Sequence, residues 1–227
     1  MNQSLIESRD KAVSHGSLRS FALRVGVVVV ALIVWFWTQS MIGARGAPAS
    51  GIRDGAHDAT ASINAYLQAH SPAANTLLIV SSAIIDLLGI FLLSLWLFRS
   101  QLRPLLSLVI VLALRQIMQA CVALPTPPNS IWHYPGFPSL LVTYNVANDY
   151  FFSGHTAIAV VGAKELAQLN RRPITVMAAI IVIFEIFTVL VLRAHYTMDV
   201  FTGLIAGLYA AQASAWISDR KPRISQS

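Results

Sequence analysis

Apolar runs long enough to cross a bilayer as helices recur along this chain, and nothing constrains its fold more. A span needs about 17–25 predominantly apolar residues. Five runs meet that length: Val25–Ile42, Thr76–Phe98, Pro104–Leu124, Pro173–Leu192 and Tyr196–Ile217. A sixth, Gly154–Leu169, is weaker because Lys164 and Glu165 sit near its far end. Only 11% of the residues are charged, against about 25% in soluble domains. The spacing predicts an all-α, six-span transmembrane bundle over residues 25–218, with a polar, disordered tail at 1–24 and a short tail at 219–227.

Loop charge supports the sixth span and predicts an orientation. With six crossings, Arg9, Lys11, Arg19, Arg24, Arg99, Arg103, Lys164, Arg171, Arg172, Arg220, Lys221 and Arg223 fall on one side of the membrane. The other side receives Arg45, Arg53 and Arg193, and Arg115 lies within the third span. Lys and Arg concentrate on the cytosolic side, so both termini are expected there. The formal charge of +6 is therefore a topology signal, and nucleic acid is not an expected partner. The first run reads as a signal anchor, being longer than a secretory h-region of about 7–15 residues. The single cysteine, Cys121, excludes an internal disulfide and reads as a small core residue.

Chemistry gathers on the opposite, non-cytosolic face. In "FFSGHT" His155 opens the fourth run, and in "HYTMDV" His195 opens the sixth. Asp199 follows His195 by four residues, one helical turn, so the two share a face. An imidazole beside a carboxylate has a fixed tautomer and raised basicity, the base-plus-orienter half of a nucleophilic constellation. His155 at the same depth suits proton donation or acceptance. Ser153 and Gly154 read as a phosphate cradle: serine caps the helix, glycine admits close approach, and free N–H groups face the anion. Two His and an Asp are also a ligand set for zinc or iron(II); the cradle favours phosphate, and no metal or cofactor is expected.

These stretches resemble the two signature motifs of the sphingomyelin synthase family, within the type-2 phosphatidic acid phosphatase superfamily. "LRQIMQACVALPTP", with Arg115, is similar to the third-span motif of those enzymes and of plant phosphatidylcholine:diacylglycerol cholinephosphotransferases. The resemblance implies an integral membrane transferase that moves a phospho-headgroup from a phospholipid donor to a lipid alcohol acceptor, either ceramide or diacylglycerol. It implies His195 as nucleophile through a phosphohistidine, Asp199 as its orienter, and His155 as acid and base. Arg115, Ser153, Gly154 and Tyr196 are the expected substrate contacts. A lipid phosphatase or phospholipase C-type hydrolase of the same superfamily is the alternative outcome, and a silent lipid-binding protein the third. Homo-oligomerisation is left open.

Departures from the family patterns carry information. Ala147-Asn148 replaces the Cys-Gly common in sphingomyelin synthases. Val189 stands where the superfamily's phosphatases place an Arg six residues before the second His. Trp96 and Glu165 stand where a Lys would precede Arg103-Pro104 and Arg172-Pro173 by seven residues. A phosphate dianion recruits several Arg or Lys donors, so their scarcity favours a singly charged phosphodiester donor. Arg115, about 13 Å below Leu124 at 1.5 Å per residue, reaches the site by snorkelling or pairs with Glu185 or Asp86. "SIWHYPGFP" (130–138) reads as an interfacial aromatic belt, with a cage for a quaternary ammonium as the alternative. His57, His70 and His133 are expected to face solvent.

Overall fold

The computed structural model describes residues 3–44, 52–144 and 149–219, with side chains from residue 18 onward. All regular structure in it is helical: α1 (Gln3–Gly43), α2 (Gly55–Ala59), α3 (Ala61–Ala69), α4 (Ser71–Arg99), α5 (Leu102–Cys121), α6 (Gly154–Ala167), α7 (Arg172–Val191) and α8 (Thr197–Asp219). Helices α4, α5, α7, α8 and residues 18–43 of α1 are long and apolar enough to cross a membrane, and the protein is an integral, multi-pass membrane protein. The helix of α1 begins at Gln3, so it runs back through the polar stretch expected to be disordered.

The weak fourth run is α6, and it is the centre of the bundle. Its 14 residues extend about 21 Å, less than the roughly 30 Å of a hydrocarbon core. What α6 lacks in length it makes up in burial: residues 155–162 are all buried, and it packs against α4, α5, α7 and α8. Small residues on α8 allow this. A Cβ on Gly203 would lie 2.4 Å from the Ser153 carbonyl oxygen, and one on Gly207 would lie 2.9 Å from that of Ala157. Backbones approach this closely only where glycine stands.

Polar bonds fix the two ends of the bundle. At one end Arg103 on α5 grips Glu165 on α6 with Nε–Oε1 and Nη2–Oε2 distances of 2.9 and 2.6 Å. Deeper in the bundle, the Ser107 and Ser214 hydroxyls pair at 2.6 Å between α5 and α8. At the other end, short helices α2 and α3, not foreseen from the sequence, cover the ends of α7 and α8. Asn64 on α3 donates to the Val191 carbonyl at 2.8 Å. Helix α1 stands apart: among its described side chains only Trp35, Gln39 and Ile42 are buried, a single face at i, i+4, i+7. Cys121 is exposed, contrary to the expected core position, because it ends α5 where the chain leaves the bundle.

Candidate active site

The end of α7, the start of α8 and the extended stretch before α6 converge on one carboxylate. Asp199 is fully buried and sits in the first turn of α8, where the helix dipole favours an anion. Its Oδ2 accepts from His195 Nδ1 at 3.1 Å and from the Tyr196 N–H at 3.1 Å, and its Oδ1 accepts from the Phe151 N–H at 2.9 Å. The Ser153 N–H donates to the Asp199 carbonyl at 2.9 Å. Phe151 holds a φ of 74°, a conformation that costs a non-glycine residue about 1–3 kcal/mol. These bonds to Asp199 hold the FFSGHT stretch against the HYTMD stretch. Because a carboxylate only accepts, His195 Nδ1 carries the proton and Nε2 keeps a free lone pair.

His155 and His195 line one small cavity, together with Arg115, Gly154, Asp149, Tyr150, Trp35 and Trp132. Its volume is about 30 Å³, room for a water or two. The His155 Nε2 is buried without a hydrogen-bond partner, and the Trp132 ring meets the His155 imidazole edge-on at 5.2 Å. Tyr150 packs edge-on against His195 at 6.3 Å. Burial pushes the Tyr150 phenol up to about 12, with the nearby Asp149, Tyr196 and Asp199 charges adding to the rise and a hydrogen bond with Thr126 opposing it. That phenol stays neutral at physiological pH.

The remaining expected contacts divide. Gly154 lies against Arg115: a Cβ added there would stand 3.4 Å from Arg115 Nε. Arg115 and the cradle therefore share one depth, and no snorkelling is needed. Ser153 is the N-cap of α6; its Oγ accepts from the Thr156 N–H at 3.3 Å and the Thr156 hydroxyl at 3.0 Å. Tyr196 stands behind the cavity, fully buried, its hydroxyl donating to the Pro125 carbonyl at 3.0 Å. Neither Ser153 nor Tyr196 lines the cavity wall.

Arg115 pairs with neither Glu185 nor Asp86. It forms a close ion pair with Asp149, donates to Gln39 Oε1 at 2.5 Å and lies over the Trp35 ring at 5.3 Å. Asp149 also accepts from Gln119 and, at 3.3 Å, from the Thr143 hydroxyl. Glu185 instead accepts from Ser81 at 2.6 Å, and Asp86 accepts from the Leu140 and Leu141 N–H groups at 2.7 and 2.9 Å. Ala147-Asn148 lies outside the described residues.

Sequence reasoning also missed a clamp around the HYTMD stretch. His57, expected in solvent, is buried; its Nε2 donates to the His195 carbonyl at 2.9 Å, and its ring stacks on Tyr196 at 5.5 Å. Asp54 caps α2 through the Ala56 and His57 N–H groups. It also accepts from the Thr197 N–H at 2.6 Å and the Thr197 hydroxyl at 2.7 Å. One aspartate thus caps two helices some 140 residues apart. His70 and His133 are exposed as expected. Among the described residues, no three His, Cys, Asp or Glu side chains are grouped to hold a metal ion.

Comparison with known proteins places this geometry in a family. The family profile described as AtPDCT1/2 matches residues 53–215, from the Asp54 clamp to the last turns of α8. The chain belongs to the AtPDCT1/2 family. Within that match lie every cavity residue except Trp35 and every member of the Asp199 and Asp54 networks. Phosphatidylcholine:diacylglycerol cholinephosphotransferase 1 of Arabidopsis thaliana is 27% identical over 173 residues, covering 76% of this chain and 54% of that protein. The chain spans about half the length of that curated relative. A solved transmembrane PAP2-type phosphatidylglycerolphosphate phosphatase from Bacillus subtilis overlays with a TM-score of 0.49 at 16% identity, over 86% of this chain and 98% of that one. The AtPDCT1/2 membership bears out the likeness to plant cholinephosphotransferases drawn from the LRQIMQACVALPTP stretch around Arg115.

Proposed function

We propose that the protein transfers a phospho-headgroup between membrane lipids through a covalent intermediate on His195. The observation that carries this reading is the pairing of His195 Nδ1 with the buried Asp199 at 3.1 Å, beside a second imidazole and a guanidinium in one cavity. In the first half-reaction, His195 Nε2 attacks the phosphodiester phosphorus. The N–P bond forms, the bond from phosphorus to the glyceride oxygen breaks, and His155 gives that oxygen a proton. Positive charge arising on the His195 ring is neutralised by Asp199. In the second, His155 takes the proton of an acceptor hydroxyl, whose oxygen attacks phosphorus and breaks the N–P bond. One acid–base group serves both directions.

The activity of the Arabidopsis relative indicates the substrates: phosphatidylcholine as donor, diacylglycerol as acceptor, phosphocholine as the group moved. Among the described residues, Arg115 is the single guanidinium lining the cavity, which suits a phosphodiester's one negative charge. Counting α6 as a crossing makes six, with both termini cytosolic and the site open to the lumenal or periplasmic side. No metal is required.

The test is purified protein in mixed micelles with headgroup-labelled phosphatidylcholine and a diacylglycerol of distinct chain composition. The reading predicts label in phosphatidylcholine carrying the acceptor's chains, with and without EDTA. Water-soluble phosphocholine would make the protein a hydrolase. No product from any glycerophospholipid donor would overturn the catalytic reading.

A further inference from the structure

The cavity has room for a water or two, and an apolar fissure begins at its wall. Helix α1 is tethered to the bundle at two levels. Low on it, Arg24 Nη1 donates to the Leu97 carbonyl of α4 at 3.2 Å, and Phe21 meets Phe98 at 5.9 Å. High on it, Trp35 and Gln39 engage Arg115. The 11 residue steps from Arg24 to Trp35 span about 16 Å.

Between those tethers lies a cleft of about 60 Å³, whose wall includes Val28, Ala31, Leu32, Leu93, Leu105 and Val109 and exposes no polar surface. Trp35, Leu112, Leu141 and Ile158 line both this cleft and the His155–His195 cavity. Gly89 lines the cleft and lets Leu141, one of the shared residues, pack close: a Cβ there would lie 2.2 Å from Leu141 Cδ1.

We propose that this cleft is the binding groove for one acyl chain of the phospholipid donor, with Trp35 as the partition between chain and phosphate. The inference rests on the transferase reading of the site and adds where the lipid's tail lies. Three observations select that occupant. The groove runs along spanning helices at membrane depth, so its occupant is apolar. It is continuous with the cavity through four shared residues. It starts beside Arg115, so a phosphate held there leaves the glyceride and one chain directed along α1. Lipid tails are as apolar as leucine side chains, so the groove gains nothing from hydrophobic transfer. It works by shape, aligning the donor while α1 yields between its tethers.

The test uses full-length protein in phosphatidylcholine micelles, with a phosphatidylcholine bearing a photoactivatable diazirine within one acyl chain. Crosslinks are mapped by mass spectrometry. The groove predicts labelling at Val28, Leu32, Leu105 or Val109, reduced about tenfold by Ala31→Phe through overpacking and unaffected by Ile183→Phe on the exposed face of α7. The same Ala31→Phe variant lowers the preference for long-chain over short-chain donors by about tenfold; Val28→Phe provides an independent obstruction. Labelling spread evenly over exposed apolar faces, labelling insensitive to both obstructions, or occupation of the groove by a second copy of the chain would overturn the proposal. Crosslinking needs no turnover, so failure of the transferase reading and failure of the groove are separable.

Discussion

Replacing Asp199 by asparagine tests the pairing on which the chemistry depends, and the structure sets the size of the effect. The carboxylate accepts three hydrogen bonds, from His195 Nδ1, Tyr196 N and Phe151 N. An amide at this position satisfies the Phe151 N–H with its oxygen and turns its NH₂ toward the other two donors. The His195 ring relieves the clash by moving its proton to Nε2, so that Nδ1 accepts. The Tyr196 N–H is then the one group left unpaired, a loss of about 1–3 kcal/mol of stability. Folding survives that loss. Chemistry does not, because the lone pair at Nε2 is gone; in a catalytic His–Asp pair the trapped wrong tautomer lowers turnover about 10⁴-fold. That fall is about 5.5 kcal/mol in the barrier, well beyond the stability loss. The assay is headgroup transfer in micelles, alongside a thermal unfolding curve for each protein. A folded Asp199→Asn variant retaining more than about a tenth of wild-type turnover would refute the orienting role, since the tautomer argument requires a loss of roughly three to four decades.

Three further perturbations bear on the surrounding structure. Arg115→Leu leaves the half-buried Asp149 without its cation and should cost about 1–3 kcal/mol; adding Asp149→Leu recovers much of that in thermal unfolding while transfer stays abolished. Gly203→Val, with a Cβ 2.4 Å from the Ser153 carbonyl, forces α6 and α8 apart at the site; activity falls and the midpoint drops by the equivalent of about 1–3 kcal/mol, whereas Gly26→Ala, in open space, leaves both unchanged. Burial pushes the Asp54 carboxyl up, but the hydrogen bonds from Thr197 and His57 outweigh it and hold it below its ordinary value. Its stabilisation is therefore complete above the unfolded value near about 3.9 and is lost as pH falls through the folded one. The unfolding midpoint should fall on acidification in that window, and Asp54→Asn should flatten this part of the profile.

The sequence carried more of the chemistry than of its supports. Hydropathy located the spans because the bilayer admits few alternatives, and an i, i+4 spacing was enough to pair His195 with Asp199. The close packing of α6 on α8 turns on Gly203 and Gly207, which no expectation from the sequence singled out. Asp149, two residues before the FFSGHT motif, was not among the expected partners of Arg115: Glu185 and Asp86 were, at similar depth in the spans, while the partner found lies 34 residues away. Asp54 and His57 left no local signal. Their partners are 143 and 138 residues distant, and only the packing of α2 over the start of α8 brings them together. The run assigned to α6, Gly154–Leu169, was already short of a span, and the helix ends two residues earlier still, at Ala167, where Gln168 and Asn170 break the apolar pattern.

The central claim is the covalent role of His195, and trapping the intermediate tests it most directly. Protein incubated with donor phospholipid labelled at phosphorus, in the absence of acceptor, is quenched rapidly and mapped by peptide mass spectrometry. The account predicts an acid-labile phosphoramidate on His195, the labelled phospho-headgroup joined through an N–P bond, that is absent in His195→Ala and is discharged to phospholipid when diacylglycerol is added. Label on another residue, or transfer at full rate in His195→Ala, would contradict it.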